Sequence, residues 1–292
     1  MKPIIFGEAG RQLYGVFHPA QSGKRRHSAV LLCYPHVTEY NVIHRAFRQI
    51  ALTLSSEGYD VFRFDYSGTG DSAGDVAEFG MDQWVSDIAV AAQELRELAR
   101  VDQLSLVGRQ LGAILAARAI TRGLSASRLI MWEPVIDGKS FVVNLEDAHR
   151  HDSIARLQPK SEGEWPWQEL LGFPFPLTHR REIESILLWD ELPNNVKVMV
   201  IRAKDDTTNE SYERLRARVE SSSGPNGAGL SGARMVMGEE PQVLAGTGQL
   251  VRLVEMADVP KYNARSIRQG IVAAGTVPGR IAELINESWD SE

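Results

Sequence analysis

Two periods of apolar residues alternate along this chain, one of two residues or a continuous run, the other near 3.6, and together they predict a sheet interleaved with helices. Lys2–Phe6 and Leu13–Phe17 read as opening strands, and Ala29-Val30-Leu31-Leu32-Cys33 is an unbroken apolar run of the kind buried on both faces of a sheet. Ile43, Phe47, Ile50, Ala51 and Leu54 then recur at helical spacing, and Gly58 falls where such a helix is expected to stop. Asp60–Asp65 reads as a second central strand, and Gly68–Gly74 as the glycine-rich turn after it. Trp84, Ile88, Ala91, Leu95 and Leu98 line one face of a long amphipathic helix. The alternation continues with a strand at Leu104–Val107 and a helix from Ala113. Further strands follow at Leu129–Trp132 and Val196–Ile201. Strands separated by crossover helices predict a mainly parallel sheet with helices on both faces. Arg234-Met235-Val236-Met237 is the candidate final strand, and Arg280–Trp289 the last helix. Ser221–Gly229 has the composition of a flexible loop.

About sixty residues separate the strands at Leu129–Trp132 and Val196–Ile201, more than a connection needs. We therefore expect one large α/β domain from residues 1–135 and 196–292, with residues 136–195 inserted as a cap. The insertion carries Trp165-Pro166-Trp167 and Phe173-Pro174-Phe175-Pro176. Two uses for these rings stand side by side: packing the insertion onto the sheet, or roofing a pocket with Trp165, Trp167 and Phe173. With 292 residues, 43% of them hydrophobic, the chain is long enough for a full core.

Charge and composition narrow the partners. A formal net charge of −6 gives no support for a nucleic-acid surface. The single cysteine, Cys33, excludes an intrachain disulfide and a cysteine metal site, and it reads as a small core residue on a buried strand. No stretch approaches the length of a membrane span, and the opening residues are too poor in apolar side chains for a signal peptide, so a cytoplasmic protein is expected. The Gly68–Gly74 turn lacks both the G-x-G-x-x-G spacing and the lysine of a phosphate loop, so we expect no nucleotide cofactor. His149 and His151 cluster locally but lack further ligands, so no metal is expected.

The chemistry is concentrated in one pentapeptide. Gly108-Arg109-Gln110-Leu111-Gly112 has the spacing and the strand-turn-helix setting of a nucleophile elbow, yet a glutamine stands where the nucleophile belongs. An amide cannot be deprotonated near neutral pH and forms no acyl intermediate, which closes covalent serine-type catalysis at that position. Gln110 retains a donor and acceptors, and Arg109 has the fork that clamps carboxylates or phosphates; the alternative is that Arg109 faces solvent or an acid of the cap and Gln110 fills the old serine space. Backbone N–H groups of Leu111 and Val37 are candidates for an anion cradle. His36, Glu133 and Asp205 lie at strand ends, where open α/β sheets bind ligands. His36 with Glu133 or Asp205 would make an acid/base pair; the alternative is that His36 orders a neighbouring loop.

Pro35-His36, the segment Arg63-Phe64-Asp65-Tyr66-Ser67-Gly68-Thr69-Gly70-Asp71-Ser72 and the elbow together resemble the α/β-hydrolase superfamily. More narrowly, Phe64–Asp75, Gly108–Ala113 and Trp132–Gly138 resemble the hydrolase-like proteins encoded beside bacterial exosortase systems, which are similar to serine aminopeptidases and acyl hydrolases. The resemblance implies an α/β-hydrolase fold with a cap and places the family's serine at Gln110 and its acid at Asp205 or Asp206. It places the family's histidine on nothing, because all seven histidines lie at or before His179. Loss of either nucleophile or histidine from a working serine hydrolase costs about 10⁶ in kcat, so the resemblance implies a degenerate triad. It also implies a small acyl or peptide ligand, or a protein partner to be modulated, in place of turnover.

Overall fold

A computed structural model describes residues 1–21, 23, 25–151, 167–203, 251–256 and 277–286 of the chain. Ten strands are present among them: β1 (Lys2–Glu8), β2 (Arg11–His18), β3 (Ser28–Cys33), β4 (Asp60–Phe64), β5 (Gln103–Arg109), β6 (Arg128–Trp132), β7 (Trp167–Leu170), β8 (Phe173–Pro176), β9 (Lys197–Ala203) and β10 (Val251–Met256). Eight of them form one sheet in the order β1-β2-β4-β3-β5-β6-β9-β10, and β7 and β8 form a separate antiparallel pair. β2 runs antiparallel to β1 and β4, and every pairing from β4 to β10 is parallel.

The helices are α1 (Val37–Ser56), α2 (Met81–Ala99), α3 (Leu111–Thr121), α4 (Gly138–His151), α5 (Leu177–Glu184), α6 (Leu188–Glu191) and α7 (Val277–Asn286). α1 packs with α7, and α2 with α3, so the two pairs cover opposite faces of the sheet. This is the α/β-hydrolase fold expected from the sequence. The unbroken apolar run becomes β3, and the side chains of β3, β4, β5 and β6 are almost wholly buried because helices lie above and below them, the charged Asp60 and Arg63 of β4 included. Crossovers between parallel neighbours bring all their C-terminal ends to one edge, and the chemistry collects there.

Three details differ from the sequence expectation. α1 begins at Val37, ahead of its first periodic apolar residue, because the imidazole of His36 accepts from the Thr38 N–H and caps it. The last described helix is Val277–Asn286 and starts earlier than Arg280, since Val277 is itself part of the buried core. The last described strand is Val251–Met256, paired with β9; Arg234–Met237 lies outside the described residues. In the turn before β3, Arg25 bonds Asp60 at 3.1 and 3.2 Å, and the Arg26 guanidinium lies 5.3 Å from the Tyr59 ring.

The segment between β6 and β9 is tied to α2 and α3 by polar contacts. Glu182 on α5 accepts the Met81 N–H at 2.8 Å, supplying the first turn of α2 with the acceptor and negative charge that Gly80 lacks. Arg118 on α3 makes a two-point contact with Glu191 on α6. Among the described residues no helix is long and apolar enough to cross a membrane.

Candidate functional site

β5 ends at Arg109 and α3 begins at Leu111, which leaves Gln110 alone to make the corner at φ 46° and ψ −115°. Positive φ in a residue with a side chain is strained by roughly 1–3 kcal/mol and persists only where its surroundings enforce it. The enforcement is visible. The Gln110 N–H donates to the Trp132 carbonyl at 3.1 Å, and its own carbonyl accepts from the Ala113 N–H at 3.1 Å. A Cβ on Gly108 would lie 2.5 Å from the Gly112 carbonyl oxygen, and one on Gly112 would lie 2.1 Å from the Tyr34 carbonyl oxygen. Both glycines are thus required by close approach of strand, helix and the β3–α1 loop. The elbow is fully formed, and it presents a glutamine amide.

Arg109 points into the protein. Its guanidinium is 1% exposed, lies 5.1 Å from the Trp132 ring centre, and is shared between two carboxylates: Nη1 donates to Glu39 at 2.9 Å and Nη2 to Glu133 at 3.0 Å. A guanidinium so divided is committed to the protein's own acids. Glu39 comes from the first turn of α1, Glu133 from the residue after β6, itself at φ 44°. The pairing register explains the convergence, because Arg109 lies opposite Trp132 in the β5–β6 ladder. Glu39 Oε2 and Gln110 Oε1, both buried, accept no hydrogen bond among the described residues.

His36 belongs to a different group. Its Nε2 lies 3.4 Å from Nδ1 of His179 on α5, and His179 Nε2 lies 2.5 Å from the Phe79 carbonyl oxygen. A carbonyl only accepts, so His179 carries its proton on Nε2 and offers a bare Nδ1. His36 therefore donates from Nε2, and its Nδ1 accepts from the Thr38 N–H at 3.4 Å. Every ring nitrogen has one role, and the Thr38 hydroxyl also lies 3.5 Å from His36 Nδ1. Burial, with the neighbouring imidazole second, pushes the His36 pKa down to about 3, and burial lowers that of His179 as well. Trp84 and Phe175 pack against the pair. His36 thus bonds His179 and Thr38 where the sequence suggested Glu133, and Glu133 bonds Arg109.

The remaining expected residues fall as follows. Leu111 and Val37 open α3 and α1 at the ends of adjacent strands, and helix geometry leaves the first N–H groups without intrahelical acceptors. Phe173 is half-buried in β8, while Phe175, two residues on, is the ring that reaches His36. Trp167 starts β7. Trp165, Asp205 and Asp206 lie outside the described residues. Burial pushes the Cys33 thiol up, in keeping with a core residue. The Gly68–Gly74 turn folds over Asp65, whose carboxylate accepts from the Tyr40 hydroxyl at 2.7 Å and the Asp71 N–H at 3.0 Å. Among the described residues no group of three or more His, Cys, Asp or Glu side chains is placed to hold a metal.

Glu39, His179, Trp132 and Phe175 were missed as site residues. An acid in a first helical turn reads as ordinary complement to the helix dipole, and a histidine in the polar segment Leu177–Glu184 reads as surface. Only Phe175 had a signal: it shares strand alternation with Phe173.

Comparison with known proteins agrees with the geometry. A family model described as serine aminopeptidase, S33, matches residues 40–167. Ferulic-acid-bound Est1E from Butyrivibrio proteoclasticus superposes with a TM-score of 0.59 at 14% identity, covering 97% of this chain and 100% of that one. Alpha/beta hydrolase domain-containing protein 10 from mouse gives 0.54 at 16%, covering 98% and 99%. DcsB, in complex with its substrate analogue, gives 0.60 at 16%, covering 98% of each. No curated protein matches the chain. At these identities the likeness is one of fold: the chain is similar to α/β hydrolases along nearly its whole length.

Proposed function

We propose that this protein is a non-hydrolytic α/β-hydrolase-fold protein that binds a small acyl or peptide ligand at the elbow, in a role that is sensing or partner-modulating rather than catalytic. One observation carries the reading: Gln110 occupies the elbow corner at φ 46° and ψ −115° with an amide side chain. An amide supplies no nucleophile, so the strained corner is left with binding to do. In this reading the N–H groups of Leu111 and Val37 hold a ligand oxygen, and Gln110, Arg109 and Glu133 form the floor. The sequence expectation that Trp165, Trp167 and Phe173 roof the pocket, with residues 136–195 as the cap, is carried into this reading. The absence of histidine after His179 supports a degenerate triad whichever of Asp205 and Asp206 stands at the acid position. The resemblance to exosortase-linked hydrolase-like proteins supports a bacterial setting.

The competing reading is a rebuilt acid/base site using His36 with Glu133 or Asp205. Against it stand His36's partners and a pKa near 3, far from the value a base needs at neutral pH.

A fluorophosphonate probe, together with p-nitrophenyl ester, acyl thioester and aminoacyl-anilide substrates, tests the proposal. Neither labelling nor turnover above a Gln110→Ala control is expected. Labelling of the wild-type chain, or turnover lost on replacing Gln110 or His36, would overturn it.

A further inference from the structure

The polar balance at the elbow points to what kind of head group the site takes. A hydrolase pocket for acyl groups is expected to be rich in donors, and Arg109 suggested a clamp for a carboxylate. Arg109 is already engaged by the protein itself. Both Arg109 contacts go to protein carboxylates, at 2.9 Å to Glu39 and 3.0 Å to Glu133. Glu39 is 4% exposed, and its second oxygen accepts nothing among the described residues. Gln110 Oε1, on the residue next to Arg109, is a second buried acceptor in the same condition. A buried carboxylate oxygen without a donor costs on the order of 1–3 kcal/mol or more, a cost that a donor from outside would remove.

We infer that the elbow site recognises a head group bearing N–H, an amide or an ammonium, and rejects carboxylates and esters of the same chain length. Glu39 Oε2 and Gln110 Oε1 accept from the nitrogen. A carbonyl on the same ligand would meet the N–H groups of Leu111 and Val37, which makes an amide complementary to both halves. A carboxylate would bring its charge against Glu39 and leave both bare oxygens bare. The inference rests on the binding reading above and deepens it, because it names the head group.

The test is calorimetric titration of the full chain at pH 7.5 with hexanamide, hexylamine (protonated at that pH), sodium hexanoate and methyl hexanoate. Hexanamide and hexylammonium are expected to bind at least tenfold more tightly than the carboxylate and the ester. Hexanamide separates genuine N–H recognition from simple attraction of a cation to a protein of net charge −6. Glu39→Gln keeps an oxygen for Arg109 and can place an NH₂ where the bare oxygen stands. It should cut hexylammonium affinity about tenfold and narrow or reverse the preference for amide over carboxylate. Gln110→Leu removes the second acceptor at a partly exposed position and should weaken hexanamide severalfold, so the test does not depend on Glu39→Gln folding well. Equal binding of hexanoate and hexanamide, no binding of either N–H compound, or affinities unchanged in both variants would overturn the inference and leave the non-hydrolytic reading standing. Turnover of methyl hexanoate or hexanamide would sink that reading instead.

Discussion

The two polar groups at the C-terminal edge of the sheet, one around Arg109 and Gln110 and the other around His36 and His179, are built on opposite terms. In the histidine group each ring nitrogen has a partner, and the protons run in one direction from Thr38 to the Phe79 carbonyl. In the elbow group a strained residue and a buried acid each hold an acceptor that nothing among the described residues fills. A closed hydrogen-bond chain across β3–α1, α5 and the turn before α2 has the character of a joint, because it stabilises only the arrangement it already has. An open one has the character of a receptor. The contrast separates His36, the more conspicuous residue in sequence, from Glu39, the less conspicuous one, to which the proposal above gives ligand contact.

Acid should break the joint most severely. The unfolded chain takes up a proton near pH 6.5 at each histidine, whereas folding holds His36 down to about 3 and His18 to about 4. Between those values the unfolded state binds more protons, so stability falls as pH drops from about 6.5 towards 4, by about 1.4 kcal/mol per pH unit for each imidazole, and these two groups contribute no slope above that window. The raised carboxyls of Asp65 and Asp87 act in the opposite sense as they protonate. Urea midpoints measured from pH 8 to 4 should show the decline. His36→Gln, which retains an acceptor and a donor but does not titrate, should flatten it by the share of one imidazole. An unaltered slope would mean His36 is not held neutral.

Gly112→Ala addresses the seam where the two groups meet. The added methyl would lie 2.1 Å from the Tyr34 carbonyl oxygen and 2.4 Å from that of Cys33, both backbone atoms, so helix and loop must separate. We expect a loss of about 3 kcal/mol, read from chemical denaturation. A loss below about 1 kcal/mol would show that the close approach at the elbow is not enforced.

Gln110→Gly should give the smallest effect and the opposite sign. Glycine adopts φ 46° without a Cβ clash, so relief of strain should outweigh its greater freedom when unfolded and raise stability by about 1 kcal/mol. Any single replacement of a joint residue should lower it. A Gln110→Gly variant less stable than wild type would indicate that the amide is already satisfied, and would erase the contrast between the two groups.

Much of this was legible in the residues themselves. The apolar runs at 29–33 and 104–107 are strands because only a doubly covered strand tolerates so few polar positions, and Gly108-x-x-x-Gly112 marked the corner. A guanidinium in a site motif can clamp a ligand or meet solvent or an acid of the cap, and nothing local indicates that Glu39, seventy positions earlier, will occupy it. His36 and His179 are 143 positions apart, and neither periodicity nor spacing couples them.

Taken alone, then, the sequence determined which segments are strands and helices, that the sheet is largely parallel, and that residue 110 offers an amide and no nucleophile. These follow from local geometry and from the chemistry of a single side chain. Which imidazole is locked, which acid stays half-paired and where the arginine's charge is spent were decided only by tertiary structure. Hydrogen-bond satisfaction is a property of neighbours in space, and folding brings those neighbours together from opposite ends of the chain's first two hundred residues.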